Sequence, residues 1–167
     1  MKNLALSVFA LSLVAAPAIA DTVSPNCTGE NFRQLDFWVG DWDLKWQGGV
    51  GVNHIQKSFE NCVIEEHFNG QPSQHLQGHS VSLYDATAKE WKQTWVDNEG
   101  GYIALAGGPH ADSTFVLVTQ PGPRGGRSRM VFEDIKPDSF VWRWQSSTDG
   151  KIWKDQWVID YARHKPA

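Results

Sequence analysis

Cysteine is scarce in this chain, with Cys27 and Cys62 the only two. No Cys-x-x-Cys spacing exists, which removes the common structural zinc sites and the thioredoxin-like redox motif. A Gly-rich phosphate loop, a nucleophile elbow and a His-Glu-x-x-His pair are all missing, so the chemistry those motifs serve has no sequence support. There is no long amphipathic helix and no βαβ rhythm, which excludes parallel α/β folds. No internal repeat stands out. Basic residues are outnumbered, 15 Lys and Arg against 19 Asp and Glu, which argues against nucleic acid or an anionic membrane as the main partner.

Long apolar runs are confined to the N-terminus. Lys2 supplies a positive start, Leu4 to Val14 is apolar, and Ala18-Ile19-Ala20 forms a small-residue cleavage site before Asp21. This is the pattern of a signal peptide over residues 1–20, too short for the roughly 20 apolar residues that span a bilayer. Residues 21–167 then form one domain, large enough for a real core and expected in the periplasm or outside the cell, with no integral membrane association. Cys27 lies too far beyond the cleavage point to be a lipoprotein anchor. In an oxidising compartment Cys27 and Cys62 read as one disulfide, the rival being two unrelated buried thiols.

What is abundant is β-forming and aromatic residues separated by turn chemistry. Val, Ile, Thr, Trp, Tyr and Phe crowd ten short runs, near 42–48, 51–60, 62–69, 75–85, 90–97, 101–107, 113–120, 128–136, 139–148 and 152–162. Gly, Pro, Asn and Asp crowd the gaps, as in a meander of antiparallel strands. Helix evidence is limited to one or two turns within Glu30 to Val39, stopped by Gly40. So many strands must close or leave edges exposed, and an up-and-down barrel is the expected solution. A two-sheet sandwich would need longer Greek-key connections than the sequence contains. The odd segment is Pro121 to Arg127, a Gly-rich basic stretch that reads as a solvated turn or as a lid carrying Arg124 and Arg127.

Period-two alternation sorts side chains by face. Trp91, Gln93, Trp95 and Asp97 share one; Phe140, Trp142, Trp144 and Ser146 another, opposite Val141, Arg143 and Gln145. Trp153, Asp155, Trp157, Ile159 and Tyr161 share a third, and Trp42, Leu44 and Trp46 a fourth. Nine tryptophans exceed what core filling requires, since each indole N–H needs a partner. As a set they point to a lined cavity. Glu66 alternates with Ile64 and Phe68, and Glu133 with Arg129, Val131 and Ile135. A buried carboxylate calls for a partner, and Arg129 and Arg143 are the candidates.

Acid–base chemistry has thin support. Glu65-Glu66-His67, with Asp97 and Asp155, is the most enzyme-like grouping. His75 and His79 share a strand face but lie roughly 13 Å apart, so a metal would need ligands from elsewhere, and none is expected.

The run Leu35-Asp36-Phe37-Trp38-Val39-Gly40-Asp41-Trp42-Asp43-Leu44 resembles the opening of a family of short exported bacterial proteins catalogued as domain of unknown function 1579. The resemblance continues through Cys62 to Glu66, Gly78 to Ser82 with Tyr84-Asp85, Trp91 to Asp97, and Trp142 to Trp153. The Gly40-x-Trp42 step also resembles the entry of lipocalins and their calycin relatives, where the tryptophan plugs one barrel end. The resemblance implies an all-β, calycin-like barrel and leaves the activity open. Haem-binding barrels of the nitrobindin kind have a similar entry and use a late histidine. Here that histidine is His164, expected in the tail, so neither haem nor another cofactor is expected.

The expectation is therefore a small-molecule-binding barrel for an apolar or amphipathic ligand. Trp91, Trp95, Trp142, Trp144 and Trp157 would line the pocket, with Gln93, Asp97, Glu66 and Arg143 as orienting groups. Trp38, Gly40 and Trp42 would close the barrel. Two alternatives stay open: an isomerase or lyase using Glu66 or Asp97, and a filled structural barrel.

Overall fold

The computed structural model describes residues 27–165; the expected signal peptide lies outside the described residues. Ten strands follow one another: β1 (Gly40–Trp46), β2 (Gly49–Ser58), β3 (Val63–Asn69), β4 (Gln77–Asp85), β5 (Glu90–Asp97), β6 (Tyr102–Pro109), β7 (Phe115–Thr119), β8 (Arg127–Lys136), β9 (Ser139–Ser147) and β10 (Lys154–Arg163). Each pairs antiparallel with the next, and β1 pairs with β10 to close the barrel. Closure gives every strand two neighbours and leaves no edge unpaired.

Alternation drives the strands into this ring. In β1 the side chains of Trp42 and Leu44 are buried while Asp41, Asp43 and Lys45 face solvent. In β2, Gly51, Asn53 and Ile55 point inward between exposed Val50, Val52 and His54. Withdrawal of each inward stripe from water stabilises the barrel by about 25 cal/mol per Å² of apolar surface buried.

Two short 3-10 turns, Glu30–Arg33 and Asp36–Trp38, cross one end of the barrel. Leu35 and Trp38 from this lead-in are fully buried. Phe37 meets Phe115, Phe132 and Phe140 edge-on, with centroids 5.5–6.2 Å apart. The Trp42 indole donates to the Trp38 carbonyl at 2.7 Å, fixing the lead-in against β1. A disulfide joins Cys27 to Cys62, tying the lead-in to the turn before β3. Gly40 has φ +136°, and a Cβ there would lie 2.2 Å from Nη1 of Arg163. Only glycine allows both that backbone and that neighbour.

Two irregularities reset the alternation. Trp157 pairs with Trp144 while Asp155 pairs with Gln145, so Gln156 is an extra residue in β10. A second shift separates Glu133 from Lys136 in β8, with Asp134 at φ +51°. These β-bulges correct two expectations. Asp155 does not share the face of Trp157 and Tyr161, and Ile135 does not share that of Glu133, which lies on the outer face with Arg129 and Val131.

Candidate functional site

The barrel interior divides into three layers. The layer nearest the 3-10 turns is filled by Trp38, Trp42, Trp91, Phe115, Phe132 and Phe140. A polar layer crosses the middle, and above it a cavity of about 200 Å³ opens toward the β3–β4 and β5–β6 loops. Its wall is Phe68, Leu76, Trp95, Ile103, Leu105, Met130, Trp142, Trp144, Trp157 and Ile159, with Glu66 and Tyr161 at the floor and Asp97 at the rim.

The aromatic wall is continuous. Trp142 and Trp144 lie parallel, 8° apart in plane and 6.4 Å between centroids. Trp157 stands edge-on to Trp142 at 5.9 Å and to Phe68 at 5.7 Å. Phe68 in turn meets Trp95 at 6.0 Å. Alternation with Ile159 and Tyr161 turns Trp157 into this arc, and the extra residue Gln156 keeps Asp155 out of it. Gly78 permits the position of Trp95, because a Cβ on it would come within 2.0 Å of the indole.

Glu66 is buried at the floor, with no cation beside it among the described residues. Its Oε1 accepts from Asn53 Nδ2 at 2.7 Å, and its Oε2 from Ser80 Oγ at 2.6 Å. Ser80 is its direct cross-strand neighbour on β4, and Asn53 also donates to the Tyr161 hydroxyl at 3.1 Å. Burial pushes the Glu66 carboxyl up to about 7, against the opposing pull of these two hydrogen bonds. Burial, and then the nearby Glu66 charge, raise Tyr161. Asp97 is the opposite case: the Trp95 indole donates to it at 2.9 Å, and the Gly101 and Glu99 amides add two further bonds. These donors hold its carboxyl below the usual range. The site thus contains one carboxyl that ionises near neutrality and one that stays charged.

Six of the nine expected ligand residues meet at this cavity: Trp95, Asp97, Glu66, Trp142, Trp144 and Trp157. Three do not. Trp91 points inward but lies in the filled layer, where its indole donates to Gln34 at 3.1 Å. Gln93 is buried and donates to Ser82 at 3.0 Å, away from the lining. Arg143 is on the outer surface, bonded to Glu133 at 2.6 Å and Asp155 at 2.7 Å. Neither it nor Arg129 is the partner of Glu66; neutral Asn53 and Ser80 take that place. The structure adds Phe68, Leu76, Ile103, Leu105, Met130, Ile159 and Tyr161 to the site. Tyr161 was visible on an aromatic face, whereas Ser80 carries no signal in sequence.

Other expected features lie outside the cavity. The Pro121 to Arg127 segment joins β7 to β8 at the mouth end, and neither arginine lines the pocket. His75 belongs to the β3–β4 loop, while His67 and His79 are cross-strand neighbours on the outer face, Nδ1 atoms 3.3 Å apart. Among the described residues no group of three or more His, Cys, Asp or Glu has the geometry to hold a metal ion. His164 is exposed beside Asp43, at 2.9 Å, on the far side of the barrel wall. Among the described residues no helix is long and apolar enough to cross a membrane.

Fold and cavity together define a closed antiparallel ten-strand barrel with an aromatic pocket over a buried carboxyl. Neither a protein-family model nor a curated protein matches the chain.

Proposed function

We propose that this is an exported, calycin-like barrel whose work is to bind a small apolar or amphipathic molecule. The observation that carries the reading is the cavity: its aromatic arc is nearly all apolar and converges on few polar groups, the composition of small-molecule sites. A barrel filled only for stability would not leave about 200 Å³ open above a buried carboxyl, since interiors pack to crystal density. The closed end supports calycin-like kinship, with 3-10 turns, Gly40 and Trp42 forming the plug. The Cys27–Cys62 disulfide supports export to an oxidising compartment.

Native mass spectrometry of protein purified gently from its own host is the test. An adduct lost on denaturation supports the reading. A bare mass, together with tryptophan fluorescence unmoved by the neutral probe naphthalene, overturns it.

A second reading rests on Glu66 alone, whose carboxyl titrates at about 7 beside Tyr161 and so meets the requirement for a general acid or base. In that case Glu66→Gln abolishes turnover and leaves ligand affinity nearly intact.

A further inference from the structure

We infer that the ligand is a protonated amine on a flat apolar body, its ammonium set over Glu66 and its body against the aromatic arc; the inference rests on the binding reading above. Three observations converge on it.

The first is the sign of the lining. Glu66 and Asp97 are its acidic side chains, and among the described lining residues there is no lysine, arginine or histidine. The arginines on the neighbouring strands are turned outward. Arg129 lies over the Trp153 ring at 4.2 Å, and Arg143 is held by Glu133 and Asp155. A ligand carboxylate or phosphate would meet two carboxyls and no counter-charge.

The second is the hydrogen-bond balance beneath the cavity. Glu66 Oε1 and Oε2 each accept one hydrogen bond, from the Asn53 amide and the Ser80 hydroxyl. Both donors are neutral, and each carboxylate oxygen keeps a lone pair for a further donor. Among the described residues the cavity floor therefore offers acceptor capacity at Glu66 and no counter-charge. An ammonium brings three donors and no acceptor.

The third is the wall itself. Tryptophan faces attract cations through their quadrupole, and desolvated sites strengthen that attraction. Trp142, Trp144, Trp157, Trp95 and Phe68 surround the space above Glu66. A buried carboxylate is costly when unpaired, and the arriving ammonium supplies the missing partner.

The test is isothermal titration of the mature protein at neutral pH with three molecules that share an indole ring. Tryptamine carries an ammonium, tryptophol a hydroxyl and indoleacetate a carboxylate. Tryptamine is expected to bind about tenfold or more tightly than tryptophol, and indoleacetate more weakly than both. In Glu66→Gln the tryptamine advantage should fall to about twofold while tryptophol affinity, which also reports the fold, is kept. Equal binding of tryptamine and tryptophol overturns the amine inference and leaves the pocket reading standing, as does tightest binding of indoleacetate. A tryptamine advantage that survives Glu66→Gln overturns the placement over Glu66. If none of the three binds while naphthalene does, the amine inference falls alone; if naphthalene fails too, the pocket reading falls with it.

Discussion

The guanidinium of Arg163, at the end of β10, lies 4.1 Å from the centre of the Trp42 ring in β1. Its Nη1 also donates to the Val39 carbonyl at 3.1 Å, and Nε and Nη2 donate to Pro137 at 3.1 and 3.0 Å. One side chain thus joins the last strand, the first strand, the 3-10 lead-in and the β8–β9 turn. Arg163→Ala should lower stability by about 2 kcal/mol through lost cation–π contact and carbonyls left short of donors. Arg163→Lys should recover little, because the planar fork is what reaches three places at once. Urea unfolding midpoints of the two variants decide this.

Trp95 and Arg143 offer a paired comparison across the barrel wall. Trp95→Ala removes an indole from the arc and the donor to Asp97, and should weaken naphthalene binding about tenfold with a stability loss of about 2–3 kcal/mol. Arg143→Ala, on the outside, should leave naphthalene affinity unchanged and cost about 1 kcal/mol at most. Fluorescence titration of both variants tests the assignment, and a binding loss in Arg143→Ala would return that residue to the site.

Glu66 gives the barrel a distinct pH dependence. Its carboxyl rises from an ordinary 4.5 to about 7 on folding, through burial. Between those values the folded chain holds a proton that the unfolded chain has released. The contribution to stability is full below pH 4.5 and lost by about pH 7. The loss runs at roughly 1.4 kcal/mol per pH unit, about 3 kcal/mol in all. Tyr161 is the titratable group facing it in the floor. His54, raised by its hydrogen bond to Asp41, adds a same-sign loss at higher pH. The measurement is therefore the difference between wild type and Glu66→Gln in chemical unfolding, which should slope across this window and flatten above it.

The Cys27–Cys62 bond closes a loop of 35 residues. Restriction of the unfolded chain by a loop of that size stabilises by about 3–4 kcal/mol. Reduction, or Cys27→Ser with Cys62→Ser, should lower the thermal midpoint while leaving naphthalene binding intact below it, because the disulfide sits at the closed end. Calorimetry with and without reductant checks both halves of that statement.

Much of the architecture was legible in the sequence, and the reasons differ from place to place. All ten strands were, with no end displaced by more than two residues, because turn residues punctuate strongly alternating runs. Faces were legible only where alternation is unbroken. The bulges at Gln156 and after Glu133 each insert a residue that period-two reading cannot detect, so alternation gives Asp155 the face of Trp157 and Glu133 that of Ile135, and the structure parts both pairs. Depth was illegible as well: Trp91 and Trp95 share a face, yet one fills the closed end and the other walls the cavity. The carboxyl network escaped for a third reason. Asn53, Glu66, Ser80 and Tyr161 come from four strands, and only the closing β1–β10 pairing brings the last of them across to the first three.

That extra residue in β10 has a further meaning. Whether the wall near the mouth presents an indole alone or a carboxylate beside it depends on the parity of a short stretch of backbone, with no change of side chain required. Deleting Gln156 would make the strand regular and keep Asp155 outside and Trp157 inside, whereas taking Gln156 into the ladder would bring Asp155 round to the face of Trp157. The polarity of this interior is thus partly a matter of counting, set by whether one residue stands inside the ladder or outside it.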